Sequence, residues 1–299
     1  MLFNKVYSLG YFPESWSEGY VLPLHKKGSI KEENNYRGIT LLSTLCKLFT
    51  RVINNRLSQW AEEYSVYIEA QAGFRSGMGT VDNIFVLHGL ISHILNQGKH
   101  LYCAFVDFTK AFDYIVRDNL WTKLIKLGLR GNILNIIQFV YNYVKSRVKY
   151  CNELSSEFEC HISVRQGECL SPFLFSMHLN DIKNIFIEKG LDGINVQHFK
   201  MFLILYADDI VIFAESKTEL QTSLDLLPKY CNRWKLIVNV NKTKIMCCRK
   251  GGQLSRDTQF FYNGNIMESV HKFTYLGVVF FKMNTHLYKF TSISVSHRI

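Results

Sequence analysis

Apolar positions along this chain change their spacing several times, and each change marks a new element. Leu41, Leu42, Leu45, Leu48, Phe49, Val52, Ile53, Leu57 and Trp60 recur every three or four residues, which predicts an amphipathic helix over 41–62. Residues 101–108 (LYCAFVDF) are strand formers with almost no polar interruption, the pattern of a buried strand. Helical spacing returns at 117–127 and 131–145, and two short strands are expected near 147–151 and 157–164. Another helix is predicted from about Leu170, with Ser171 as its cap and Pro172 in its first turn.

Two apolar runs, 202–205 and 210–213, flank Tyr206-Ala207-Asp208-Asp209, which predicts a hairpin with an acidic pair near its tip. A helix over 217–233 follows, and Pro228 is expected to bend or end it. Strand-like pieces at 243–248, 259–262 and 270–280 then alternate with turns, among them Asn263-Gly264, a strong hairpin signal. The pattern as a whole predicts an α+β fold, a largely antiparallel sheet with helices packed on one side.

Composition narrows the class. The chain has 299 residues, 47% of them hydrophobic, with only 4 prolines and 18 glycines, which excludes a disordered protein and allows a sizeable core. No apolar run approaches the ~18 residues of a membrane-spanning helix, and the opening residues are too short and polar for a signal peptide. A soluble, intracellular protein is expected, with nucleus and cytoplasm both open. The eight cysteines, at 46, 103, 151, 160, 169, 231, 247 and 248, show no CxxC spacing and read as reduced and structural. Gly77-Met78-Gly79 and Lys26-Lys27-Gly28-Ser29 lack the spacing of nucleotide-binding loops, and the ten histidines lack that of metal ligands.

Charge adds a spatial pattern. The net charge of +10 divides into +7 over residues 1–150, −7 over 151–228 and +10 over 229–299. An acidic middle between basic arms suits a cation site flanked by surfaces that grip a polyanion. Three carboxylates stand out: Asp107 near the end of the apolar run at 101–108, and Asp208 with Asp209 at the hairpin junction. An ionised carboxylate in such surroundings costs several kcal/mol unless paired, hydrated or bound to metal. If the strands are neighbours, these groups converge as needed to hold two metals about 3.5–4 Å apart for phosphoryl displacement. Taken alone, an Asp-Asp pair at a hairpin tip also fits ordinary solvated turn chemistry.

The surrounding residues carry a family resemblance. Phe105-Val106-Asp107-Phe108-Thr109-Lys110-Ala111-Phe112-Asp113 resembles the first polymerase motif of non-LTR (LINE-type) retrotransposon reverse transcriptases, and Tyr206-Ala207-Asp208-Asp209 resembles their YADD box. Residues 165–172 (RQGECLSP) resemble the RQGxxLSP motif, while 35–42 (NYRGITLL) and 71–75 (QAGFR) resemble two fingers motifs. Downstream, 239–244 (NVNKTK) and 273–277 (FTYLG) resemble later palm motifs, and 12–16 (FPESW) with 22–28 (LPLHKKG) resemble the family's leading segment. The strings follow the family's order from about residue 11 to about 281.

That resemblance implies a right-hand polymerase fold of fingers and palm with an antiparallel palm sheet, and an RNA-directed DNA polymerase extending a DNA primer on an RNA template with dNTPs. Asp107, Asp208 and Asp209 would be catalytic and would hold two Mg²⁺ ions, with Mn²⁺ as a possible substitute, and the backbone carbonyl of Phe108 would complete a shell. Ala111, Phe112, Gln166 and Gly167 would border the incoming nucleotide, Phe112 as the gate against a 2′-hydroxyl. Lys27 and Arg37 would clamp the triphosphate, and Lys242 would protonate the leaving pyrophosphate. Tyr275, Leu276 and Gly277 would form a primer grip. By residue type alone, Phe112 also reads as a core aromatic, and Lys27, Arg37 and Lys242 as solvated charges.

The expected domains are fingers at 1–99, palm at 100–282 with an interposed fingers segment at about 117–160, and a divergent tail at 283–299. The thumb is expected to be missing. An active polymerase core and a weak or inactive remnant that only binds nucleic acid both remain open.

Overall fold

The computed structural model describes residues 2–142, 144–250 and 259–282; the tail expected at 283–299 lies outside them. The chain forms two compact units, Met1–Tyr67 with Phe112–His178 and Ile68–Ala111 with Leu179–Ile299. The first unit opens with α1 (Leu2–Leu9), α2 (Glu14–Ser17), β1 (Gly19–His25), β2 (Tyr36–Leu42) and α3 (Thr44–Glu63). The second unit begins with α4 (Thr80–Asn96) and β3 (Leu101–Val106). The chain returns to the first with α5 (Arg117–Lys126), α6 (Asn132–Asn142), β4 (Lys145–Tyr150), β5 (Glu153–Leu154), β6 (Phe158–Glu159) and α7 (Ser171–Leu179). It completes the second with α8 (Asn184–Glu188), β7 (Ile194–Val196), β8 (Phe199–Met201), β9 (Leu203–Tyr206), β10 (Asp209–Ala214) and α9 (Lys217–Trp234). The last described elements are β11 (Lys244–Cys248), β12 (Phe261–Tyr262), β13 (Asn265–Ile266), β14 (Glu268–Ser269), β15 (Lys272–Tyr275) and β16 (Val278–Phe281). Residues 68–99, including the QAGFR string, lie in the second unit with β3, and residues 112–178 lie in the first.

In the first unit β1 pairs antiparallel with β2 from Gly19↔Leu42 to His25↔Tyr36, and parallel with β4. That pairing takes Leu41 and Leu42 out of the helix predicted over 41–62. The helix starts at Thr44 because Ser43 caps it, its hydroxyl accepting the Cys46 N–H at 3.1 Å. Its buried face also differs from the expected stripe. Cys46, Phe49, Thr50, Ile53, Leu57 and Ala61 are buried, while Leu45, Leu48 and Val52 are exposed. The selecting contact is aromatic: Phe3 and Phe12 bring their ring centroids to 5.4 and 5.6 Å from that of Phe49.

The second unit is built on a sheet in the order β14-β11-β3-β10-β9, antiparallel except for the β11–β14 pair. All six residues of its central strand β3 are buried. Leu101, Cys103 and Phe105 join a core with Leu87, Leu90, Ile91, Ile94 and Leu95 of α4 and with Tyr275, Val278 and Phe280. Phe105 stacks on Phe273 with centroids 4.1 Å apart. The alternate residues Tyr102, Ala104 and Val106 are buried as well, and α9 packs against β3 and β10. Helices therefore cover both faces of the sheet, not one, because a strand apolar at every position has two faces to shield. Pro228 neither ends nor divides α9, which continues to Trp234; buried Leu220, Leu224, Leu227 and Cys231 on one stripe hold it past the missing donor. The hairpin expected at Asn263-Gly264 forms, with φ of +47° and +76° at its two central residues.

All eight cysteines are free thiols, and burial pushes Cys46 and Cys231 up to about 12. Among the described residues no helix is long and apolar enough to cross a membrane. One buried polar side chain ties helix to sheet: the Asn83 amide of α4 donates to the Leu205 carbonyl at 2.9 Å and to the Tyr275 hydroxyl at 3.2 Å. Asn83→Ala removes the donor to the Tyr275 hydroxyl and one of two donors to the Leu205 carbonyl, so urea unfolding should show a loss of about 1–3 kcal/mol; an unchanged midpoint would deny Asn83 this role.

Candidate active site

The central strands end in acid. Val106 pairs with Ile210, so one step further along the same register Asp107 stands across from Asp209. Residues directly opposite on antiparallel strands share a face with Cβ atoms about 4.5–5.5 Å apart. Asp208 lies in the turn that joins β9 to β10. The three carboxylates singled out from sequence thus gather at one end of one sheet.

The backbone around Asp107 is held by the chain just before β11. Thr243 Oγ1 accepts the Asp107 N–H at 3.2 Å, the Asp107 carbonyl accepts from Asn239 N–H at 2.8 Å, and Thr109 N–H donates to Ile237 at 2.8 Å. These bonds leave the amide and carbonyl of Phe108 directed to the other edge of the strand, the edge that β10 occupies, by the alternation of strand backbone groups. The Asp107 side chain is less well served. Its Oδ2 is covered and has no hydrogen-bond partner, and Lys242 Nζ lies 3.4 Å away. Lys242 is 61% exposed, so solvent screens much of that pair.

Among the described residues no group of three or more His, Cys, Asp or Glu side chains is arranged to hold a metal ion. The site nevertheless fits a divalent cation in its donor chemistry. A covered carboxylate oxygen without a donor calls for positive charge, a lysine stands next to it, and a second carboxylate is in register with it.

The turn itself is unusual. Ala207 takes φ +57°, a left-handed conformation that a side chain disfavours. Tyr275, on the neighbouring β15, is buried; burial and the nearby Asp209 charge raise its phenol pKa, against the lowering effect of the Asn83 hydrogen bond. Leu276 and Gly277 form the turn between β15 and β16, with φ of +47° and +87°.

The other singled-out residues lie in the first unit, apart from Ala111, buried at the end of the second unit's first segment. Lys27 is exposed in the bend after β1. Arg37 sits on β2 opposite Leu24, its Nε covered and without a hydrogen-bond partner. Gln166 and Gly167 lie against the same strand: Thr40 N–H donates to the Gln166 carbonyl at 2.7 Å. Gly167 has φ +101°, and a Cβ there would come within 2.9 Å of the Thr40 carbonyl oxygen, so both conformation and space demand glycine. The Gln166 amide donates to Asp113 at 3.0 Å, and Phe112, half-buried, stacks on Phe175 at 4.5 Å.

Sequence reasoning missed the support beneath the 165–172 string. Buried Glu168 accepts hydrogen bonds from the Tyr141 hydroxyl, from Ser171 Oγ at 3.2 Å and from Leu170 N–H at 3.2 Å. Ser171, expected as a cap, instead opens α7 with its hydroxyl turned to Glu168. Arg165 donates to the Val140 carbonyl at 2.6 Å. Arg117, which donates to Ser163 and Ile162 carbonyls at 3.0 Å each, is drawn down to about 10 by burial and by the charge of Arg165. The signal was a Glu and an Arg just before the apolar run of α7, whose partner Tyr141 comes from α6, earlier in the chain.

Residues 24–280 match the family described as Reverse transcriptase (RNA-dependent DNA polymerase). The chain belongs to the reverse transcriptase family. Relatives come from non-LTR mobile elements, in line with the motifs. The protein named "Probable RNA-directed DNA polymerase from transposon BS" of Drosophila melanogaster is 29% identical over 95% of this chain and 32% of its own length. The RNA-directed DNA polymerase from mobile element jockey of Drosophila funebris is 26% identical over 100% of this chain and 32% of its own. The chain therefore spans about a third of these curated relatives. Among solved structures, apo telomerase from Candida tropicalis superposes with a TM-score of 0.64 at 13% identity, covering 94% of this chain and 49% of that one. The likeness establishes a right-hand polymerase fold for this reverse transcriptase chain.

Removing one hydroxyl tests the buried support. Tyr141→Phe deprives the buried Glu168 of a donor, and calorimetry or denaturant unfolding should report a loss of about 1–3 kcal/mol. A change of only a few tenths would show that Glu168 does not depend on it.

Proposed function

We propose that this chain is the catalytic core of an RNA-directed DNA polymerase of the non-LTR type, extending a DNA primer on an RNA template with dNTPs. The observation that supports it most is the register of β3 and β10, which sets Asp107 opposite Asp209 with Asp208 beside them. In this reading Asp107, Asp208 and Asp209, with the Phe108 carbonyl, hold two Mg²⁺ ions, which Mn²⁺ can replace. Bound there, such ions lower the pKa of an attacking hydroxyl and offset the charge that builds on the transferred phosphoryl group. Magnesium suits the site because it accepts oxygen ligands and completes its shell with substrate phosphates.

The remaining roles fall to the chain's own groups. Arg37 and Lys27 bind the triphosphate, Arg37 through the planar fork that matches phosphate oxygens. Lys242 is released from Asp107 as the carboxylate is otherwise satisfied, and it donates a proton to the departing pyrophosphate. Ala111, Gln166 and Gly167 border the nucleotide, and the Phe112 ring, steadied by Phe175, occupies the volume a 2′-hydroxyl would need. Tyr275 anchors from below the hairpin turn that presents Leu276 and Gly277 to the primer. The basic segments on either side of the acidic middle attract the nucleic-acid backbone.

Primer extension on an RNA template with Mg²⁺ or Mn²⁺ tests this reading. The chain should add nucleotides, and Asp107→Asn or Asp208→Asn should reduce synthesis to background while RNA binding keeps its affinity and salt dependence. Equal synthesis by Asp208→Asn and the parent would remove the carboxylates from catalysis. If the parent binds RNA but never extends, only the binding function survives. A separate expectation concerns sugar choice: Phe112→Ala should raise ribonucleotide incorporation relative to dNTPs in competition assays, and unaltered selectivity would take Phe112 out of the gate.

A further inference from the structure

The turn that carries Asp208 and Asp209 is gripped by a segment more than a hundred residues earlier in the chain. Residues 70–72 run parallel to the outer edge of β9: Leu205 N–H donates to Ala70 at 2.8 Å, and Ala72 N–H donates to Leu205 at 3.0 Å. This brings the side chain of Gln71, fully buried, onto the backbone of Ala207. Ala207 N–H donates to Gln71 Oε1 at 3.1 Å, and Gln71 Nε2 donates to the Ala207 carbonyl at 3.4 Å. Oε1 also accepts the Gly73 N–H at 2.8 Å. Two N–H groups converge on the same atom of the amide, which identifies that atom as the oxygen.

The amide thus closes both polar groups of the one residue in the turn held at φ +57°. A left-handed alanine persists only where its surroundings over-determine it. Gln71 supplies that determination from one side, and Gly73 supplies it by proximity, since a Cβ on Gly73 would collide with the backbone nitrogen of Ala207. Asp208 and Asp209 follow Ala207 directly, so its dihedral angles set where the chain presents their carboxylates.

We propose that Gln71 is a positioning residue for this reverse transcriptase, fixing the left-handed Ala207 so that Asp208 and Asp209 are presented at the end of the sheet where Asp107 stands. The inference rests on the proposed metal-holding role of those three carboxylates. Gln71 touches no reacting atom; it acts through the turn.

The test uses the whole chain with Gln71→Met, which keeps length and loses both polar contacts, and Gln71→Asn, which stays polar but is a methylene too short. Mn²⁺ titration followed by electron paramagnetic resonance reads the site without catalysis, and primer extension separates kcat from KM for dNTP. Both variants should weaken Mn²⁺ binding by about tenfold or more, the usual scale for losing an outer support of metal ligands, and lower kcat while KM stays within about twofold. Ala207→Gly, added to Gln71→Met, should recover much of the loss, because glycine takes a positive φ without being held. A lowered melting temperature with Mn²⁺ affinity and kcat unchanged in both variants would overturn the proposal, and so would a failure of Ala207→Gly to restore either. Asp208→Asn separates the two levels. If it binds Mn²⁺ as the parent does, the metal-site reading fails and this inference goes with it. If it loses Mn²⁺ while the Gln71 variants keep it, only the positioning role is overturned.

Discussion

Everything in the second unit depends on a strand that is apolar at every position and ends in a charge. All six residues of β3 are buried, so its sheet needs cover on both faces, and α4 and α9 supply it. The same burial leaves the strand's next residue, Asp107, at the rim of a low-dielectric core with one covered oxygen and no hydrogen-bond donor. A carboxylate is tolerated there because Lys242 stands beside it. The strand thus sets a charge at the rim of its own core, with an exposed lysine as its compensating partner.

Polar side chains buried inside the core do a second job, that of holding irregular backbone in place. Gln71 satisfies both groups of a left-handed alanine, and Asn83 joins β9 to Tyr275. In the first unit, Glu168 and Tyr141 secure the loop that presents Gln166 and Gly167 against β2. In each case the supported residue is adjacent in sequence to one singled out for chemistry, while the supporting residue comes from another segment. This division between reacting groups on turns and buried amides or carboxylates beneath them is how a site acquires precision without stiffening the whole chain.

Family membership and fold agree with one another. The chain spans about a third of the length of these curated relatives.

Local chemistry was enough to read the strand at 101–108, the acidic hairpin at 202–213 and the turn at Asn263-Gly264, because alternation, apolar runs and turn residues act over a few neighbouring positions. The same locality misjudged α3. Its periodicity fitted two faces, and only the aromatic cluster of Phe3, Phe12 and Phe49 decided which was buried, while pairing with β1 took Leu41 and Leu42 into a strand. Pro228 failed as a breaker for a similar reason: packing along α9 outweighed one lost donor. The order of motifs singled out Asp107, Asp208 and Asp209; strand register, by setting Val106 against Ile210, is what brings the ends of β3 and β10 side by side. No local pattern marks Gln71 as the residue that holds Ala207, since that contact exists only once two segments far apart in the chain are brought side by side and their unpaired backbone groups must find partners.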